Sequence, residues 1–512
     1  MTLPSVHPNQ DHALTAWQRW TLLAIVSSAL LLIALDNTIL YTALPTLTAE
    51  LGASSSQQLW IINAYPLVIA GLLPGSGALG DRFGHKRIFQ VGLGIFGVAS
   101  ILAAFSGSSE MLIASRALLA VGAAAMMPAT LALIRLTFSI ERERNLAIAI
   151  WAAVATVGMA LGPIVSGVLL EFFWWGSVFL VNVPIVIAAL VLMLVVAPAN
   201  IANPGRRWDW LSSAQVMLGL TAAVLAIKTI AATPVDWLLF IGSTVVAVVM
   251  LTVFARRQMR LNRTTEPLVD FTIFRNRGFS GGVIAAGASI FAIVGIQLGT
   301  TQRFQLVEGF SPLDAGLIVS ALAVGSMPFA LFGGAILHRA GLLMLVGGGM
   351  TLAALGAIGS ILATLDDSLL WLVISFGVLG AGLGASMSVA STAIMGNVPP
   401  RRAGMAASIE EVSYEFGGLV GVALLGSLLT FVYTRVLVLP AGAEQYAGEA
   451  PAAVLESGDV PAMAAAAEAF DVAYLGVLIG VAVVMVLAAV ASSWMLRRYT
   501  PGTESQAYPE NH

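Results

Sequence analysis

Cysteine is absent from the 512 residues, which removes disulfides, thiol nucleophiles and thiolate metal sites from consideration. Charge is scarce too: Asp, Glu, Lys and Arg make up 10% of the chain, against roughly 25% in soluble domains. The five His are scattered and form no ligand cluster, so no metal site is expected. No GxxxxGK[ST] phosphate loop occurs, which argues against nucleotide-driven work, and no nucleophile lies near a base in a way that suggests an enzyme. A net charge of −3 spread over this length argues against nucleic acid as a partner. The segment before Arg19 is polar and poor in Lys and Arg, and the apolar run after it is too long for a signal-peptide core. The first helix is therefore expected to stay in a membrane.

Apolar sequence fills the rest. Hydrophobic residues make up 58% of the chain and mean hydropathy is +0.91, the composition of an integral membrane protein. A spanning helix needs roughly 20 apolar residues. Runs of that kind fall near 20–43, 58–79, 88–106, 110–135, 145–170, 175–197, 211–231, 235–256, 279–301, 313–336, 342–364, 370–394, 404–433 and 470–496. The expectation is an all-α protein of fourteen transmembrane helices. With the N-terminus inside, all Lys and Arg but four fall on the inner side; Arg303 and Arg435 fall outside, and Arg116 and Lys228 within spans. The positive-inside rule then places both termini in the cytoplasm. The divisions expected are a tail at 1–19, a six-helix bundle at 20–197, two inserted helices with their inner linkers at 198–278, a second six-helix bundle at 279–496, and a tail at 497–512. Within the second bundle, 434–469 is an outer loop rich in Ala and Glu, read either as a short amphipathic element over the outer mouth or as a solvated linker.

The few charges inside spans are the informative ones, because a charge at a helix centre costs about 2.5–3.5 kcal/mol even on insertion scales. The run from Gly404 to Val432 contains SIEEVSYEFG, with Glu410, Glu411 and Glu415. Glu411 and Glu415 share a helix face, while Glu410 and Tyr414 share one rotated by about 100°. At least one of these faces is expected to line a wet cavity. A carboxylate set apart from bulk water holds a cation when ionised and gives it up when it takes a proton. Pairing with a buried base such as Lys228 is the plainer alternative. In the first span Asp36 is the only charge, and in the second Trp60, Asn63, Tyr65 and Pro66 offer aromatic and amide groups. Aromatic faces suit an organic cation, although a Trp at the membrane interface explains Trp60 equally well.

Three motifs point to one family. GALGDRFGHKR at 77–87 carries Gly77, Gly80, Asp81, Arg82, Gly84, Lys86 and Arg87. Its glycines allow close helix approach and a tight turn, and Asp81 is suited to latch one conformation. LIASRALLAVGAAAMMP places Arg116 within the fourth span, with Leu119 and Ala120 after it. WAAVATVGMALGPIVSGVLL gives Gly158, Gly162, Pro163, Ser166 and Gly167 in the fifth; small residues four apart pack helices closely and the proline bends them. Together these resemble the major facilitator superfamily: the signature loop, the membrane arginine and the antiporter motif of its drug–proton exporters. Leu119 and Ala120 depart from the Gln and Gly that many relatives carry. GGAILHRAG at 333–341 sits where a degenerate copy of the 77–87 loop belongs if the chain is a duplicated six-helix repeat.

The resemblance runs over about residues 15–498 and is to the fourteen-helix branch, especially exporters of methyl viologen and quaternary-ammonium biocides. It implies a proton-coupled antiporter of the bacterial cytoplasmic membrane, without cofactor, drawing on the proton gradient and acting as a monomer on small cationic substrates. It implies proton and cation coupling at Asp36, Arg116, Glu411 and Glu415, with Glu410 as the competing assignment. Trp60, Asn63, Tyr65 and Tyr414 are then candidates for the substrate cavity. A narrow antibiotic exporter and a proton-coupled uptake symporter are the alternatives; the second leaves the helix 5 motif unexplained.

Overall fold

The computed structural model describes residues 15–499, except 139, 197–199, 201, 203–208, 232–234, 262–266, 268, 399–402, 447–448, 450 and 456. Arg206, Arg207, Arg263, Arg401 and Arg402 of the basic linkers lie outside the described residues, as do the side chains of Asp81, Arg142, Arg144 and His338.

The chain is an antiparallel series of long helices: α1 (Ala16–Leu51), α2 (Ser55–Phe83), α3 (His85–Ala104), α4 (Ser109–Thr137), α5 (Glu141–Phe172), α6 (Ser177–Val196), α7 (Trp210–Ala231) and α8 (Trp237–Leu261). After a short 3-10 turn follow α9 (Arg277–Gln302), α10 (Pro312–Leu342), α11 (Gly349–Leu365), α12 (Leu369–Met395), α13 and α14 (Val460–Leu496). Helix α13 is continuous through Ala403–Gly421, a π turn at Val422–Gly426, and Ser427–Val436. Among the described residues twelve helices are long and apolar enough to cross a membrane. Helices α2 and α5, 29 and 32 residues long, are not among the twelve. Both contain residues whose side chains lie outside the described ones.

The packing repeats. In the first bundle α1 lies on α4, α5 and α6, α2 on α4, and α3 on α4 and α6. In the second, α9 lies on α12, α13 and α14, α10 on α12, and α11 on α12 and α14. Each pairing in one half has its counterpart in the other, as a duplicated six-helix unit requires. The bundles meet along two seams, α5 against α10 and α2 against α13. The inserted pair α7 and α8 packs on itself and covers the α2/α13 seam.

Helix α1 overruns its expected end at residue 43 and continues to Leu51, where Gly52 caps it at φ 59°. Pro45 lies inside the extra turns and cannot donate to the Tyr41 carbonyl. The second bundle supplies the missing donor: Thr301 Oγ1 of α9 shares its hydrogen between Tyr41 O at 2.9 Å and its own Gln297 O at 2.7 Å, and Gln305 Nε2 donates to Thr42 O at 2.9 Å. A proline in one bundle thus creates the acceptor by which the other is tied to it. At the same end of the molecule Gly167 of α5 sits against the Leu313 backbone, Gly316 of α10 against Pro163, and Gly426 of α13 against Leu59. Both seams are closed at this end, the one opposite the basic loops.

The loop segment beyond α13 does not trail free. It forms a short helix, Pro451–Leu455, whose Val454 and Leu455 are buried in the core of the second bundle and which also touches α1.

Candidate functional site

Helix α4 begins at Ser109, capped by the Ser108 side chain, so Arg116 lies two turns inside the membrane from the end opposite the basic loops. A guanidinium at that depth needs a partner, and Asp36 of α1 supplies it. The two form a buried ion pair, each side chain about 1% exposed. The remaining faces of the guanidinium are also occupied. Arg116 Nε donates to the Ile61 carbonyl of α2 at 3.4 Å, and the Tyr65 ring, one turn further along α2, lies 4.7 Å from its centre. Asn182, in the second turn of α6, lies near Asp36 and donates to Ser100 Oγ at 3.2 Å. The first bundle therefore holds a closed, mutually satisfied charge pair built from α1, α2, α4 and α6.

The second bundle holds the glutamates, and the structure sorts them. Glu410 is buried and committed: Ser391 of α12 and Tyr414 one turn on donate to its two oxygens, each at 3.1 Å. Glu415 turns the other way and lies within electrostatic reach of Arg116 in the first bundle. Glu411 lies between its two neighbours and feels both of their charges. Both Glu411 and Glu415 are half-buried. Two carboxylates thus remain able to meet a cation between the bundles, and the third is held within its own.

The expected cavity residues do not gather in one place. Tyr65 is at the ion pair and Tyr414 beside Glu410, whereas Trp60 lies on the α7 side of α2 with the Lys228 ammonium 4.7 Å from its ring centre. Asn63 is fully buried and shares the α2 face of Leu59 and Leu67, which meets α13.

The glycine-rich stretch at 77–87 turns on Gly84, at φ 91°. A β-carbon there would strike Asn200, whose side chain clamps the turn: its Nδ2 donates to Phe83 O at 2.8 Å and its Oδ1 accepts from Arg87 N at 3.2 Å. The corresponding break after α10 falls on Gly341 at φ 75°, within the 333–341 segment. Gly77 and Gly80 lie in the last turns of α2, with Arg82 exposed and Lys86 half-buried. In α5 the motif serves two surfaces. Gly158 and Gly162 admit α1 at Ala34 and Thr38, and Ser166 donates to Ile39 O at 3.0 Å. Pro163 and Gly167 face α10 across the seam. Sequence reasoning missed Asn200, Asn182 and Ser391, since none sits in a charged or glycine-rich pattern.

A family model described as Major Facilitator Superfamily matches residues 26–422. The methyl viologen resistance protein SmvA of Salmonella typhimurium is 37% identical over 432 residues, covering 84% of this chain and 86% of its own. The multidrug efflux pump LfrA of Mycolicibacterium smegmatis is 38% identical over 487 residues, covering 93% and 94%. Among solved structures, a bacterial homologue of the human lysosomal transporter Spinster, inward-facing and unoccupied, superposes with a TM-score of 0.68 at 16% identity, covering 97% of this chain and 100% of its own.

Proposed function

The chain belongs to the Major Facilitator Superfamily, and on that premise we propose that it is a proton-coupled antiporter exporting lipophilic cations of the methyl viologen and quaternary-ammonium kind. It is a transporter and not an enzyme. The observation that carries the reading is the pairing of a buried Asp36–Arg116 couple in one bundle with two half-buried glutamates, Glu411 and Glu415, on the facing helix of the other.

In this reading fourteen helices cross the bacterial cytoplasmic membrane, with both termini and the basic loops in the cytoplasm. The closed seams at the opposite end then correspond to an inward-facing stage. Ionised Glu411 and Glu415 draw a lipophilic cation from the cytoplasm or inner leaflet, and aromatic groups of the seam hold its apolar body. Rocking of the bundles turns the site outward. Protons arriving from outside neutralise Glu411 and Glu415 and release the cation, and protonation of Asp36 then loosens its hold on Arg116. The cation and the proton compete for the same groups, and that difference in affinity sets the direction of transport. The Gly84 turn with its Asn200 clamp, and the α5 motif with Pro163, are the hinge elements of the cycle. Asp81 is assigned the latch by its place in the loop. The unit is a monomer without cofactor, driven by the proton gradient.

Inverted membrane vesicles test this. With a pH gradient imposed, native protein accumulates ethidium or methyl viologen and dissipates part of the gradient, and Asp36→Asn does neither. Cation accumulation without proton movement, or accumulation only in right-side-out vesicles, overturns the reading.

A further inference from the structure

The inserted helix α7 carries a lysine within a membrane span, and neither the fold nor the coupling site accounts for it. Among the described residues Lys228 finds no carboxylate. Its Nζ donates to the Ser56 carbonyl in the first turn of α2 at 2.7 Å and lies 4.7 Å from the centre of the Trp60 ring. Further along the same pair of helices Gly71 of α2 abuts Met217 of α7. Between the two places α2 advances eleven residues and α7 goes back eleven, so α7 runs antiparallel along α2 in a single register. Between them lies a small apolar cluster of Leu67 and Ala70 from α2, Leu220 and Val224 from α7, and Leu419 and Ala423 from α13.

The segment that Lys228 grips leads directly into the arginine cradle. Trp60 is followed by Ile61, whose carbonyl accepts from Arg116, and one turn later by Tyr65, whose ring covers Arg116. The donors of the first turn of α2 are met by a capping box between Ser54 and Gln57, and Gln57 also reaches Glu110 of α4. Lys228 adds a tie on the opposite side, to the Ser56 carbonyl and the Trp60 face, so the segment is held from both α4 and α7. From this geometry we infer that Lys228 is a positioning residue for the Arg116–Asp36 couple, acting through the outer turns of α2, and that holding this segment in place is a task of the inserted helix pair. The inference rests on the transporter reading for its kinetic consequence but not for its structural one.

The experiment has two arms. The chain lacks cysteine, so nitroxide labels placed at Gln58 of α2 and Met111 of α4 report the fit of the α2 start against α4 without background. Native protein is expected to give one narrow distance, Lys228→Met a broadened distribution, and Lys228→Arg a return to the narrow one. In vesicles, Lys228→Met lowers ethidium turnover on the order of tenfold with half-saturation unchanged, and Lys228→Arg restores it. An unchanged distance distribution in Lys228→Met overturns the inference whether or not ethidium is a substrate. A rise in half-saturation with turnover intact also overturns it, by placing Lys228 at the cation site instead. If the native protein moves no ethidium while the distance arm behaves as described, the transport reading fails and the positioning role stands.

Discussion

The two bundles handle buried charge in opposite ways. In the first, Asp36 and Arg116 satisfy each other, and Ile61, Tyr65 and Asn182 close around them. In the second, three glutamates share two turns of α13, and among the described residues Glu410 alone has hydrogen-bond donors fixed on it, from Ser391 and Tyr414. A buried pair is costly to break, because the partner left behind is an uncompensated charge. A half-buried carboxylate without fixed donors leaves no stranded partner when it is neutralised. The difference assigns the first bundle a switch that must be forced and the second a site that exchanges its cargo.

Breaking the pair has the largest expected effect. Asp36→Asn strands Arg116 at a cost of about 3–5 kcal/mol and abolishes cation resistance, with a fall in the amount of folded protein readable by size-exclusion fluorescence. Replacing both partners, Asp36→Asn with Arg116→Gln, sharpens the point. The double variant recovers abundance, since no charge is left stranded, yet still fails to couple cation to proton movement. Recovery of coupling would remove the pair from the mechanism.

On the other side of the comparison the order reverses. Glu411→Gln and Glu415→Gln are expected to leave thermal stability within about 1 kcal/mol of native and to weaken proton-linked transport on the order of tenfold each. A stability loss as large as that of Asp36→Asn would erase the distinction between the bundles. Glu410→Gln is the mildest: it weakens two hydrogen bonds, costs about 1 kcal/mol in a melting experiment, and leaves the cation range as it was. A changed cation range in Glu410→Gln alone would move the cargo role onto it.

Much of this was legible in the sequence because charges in an apolar run announce themselves. Glu410, Glu411, Glu415, Asp36 and Arg116 all stand out that way, and helical spacing already separated Glu410 from the other two. Their partners did not. Asp36 and Arg116 are 80 residues apart and meet only when α1 packs on α4. Trp60 reads as a cation-binding aromatic, and a cation does sit on it, but the cation is Lys228, brought there by the docking of α7 along α2. No local pattern encodes that docking. The extension of α1 past Pro45 was hidden for the same reason, since the donor that satisfies the freed carbonyl, Thr301, comes from the other bundle.

The central claim is that cation and proton compete for Glu411 and Glu415. Purified protein in weakly buffered detergent, titrated with methyl viologen while released protons are followed by a pH dye, tests it directly. Native protein should release protons as the cation binds, and the double variant Glu411→Gln, Glu415→Gln should stay folded and release none. Cation binding to native protein without proton release, or undiminished release from the double variant, would contradict the account.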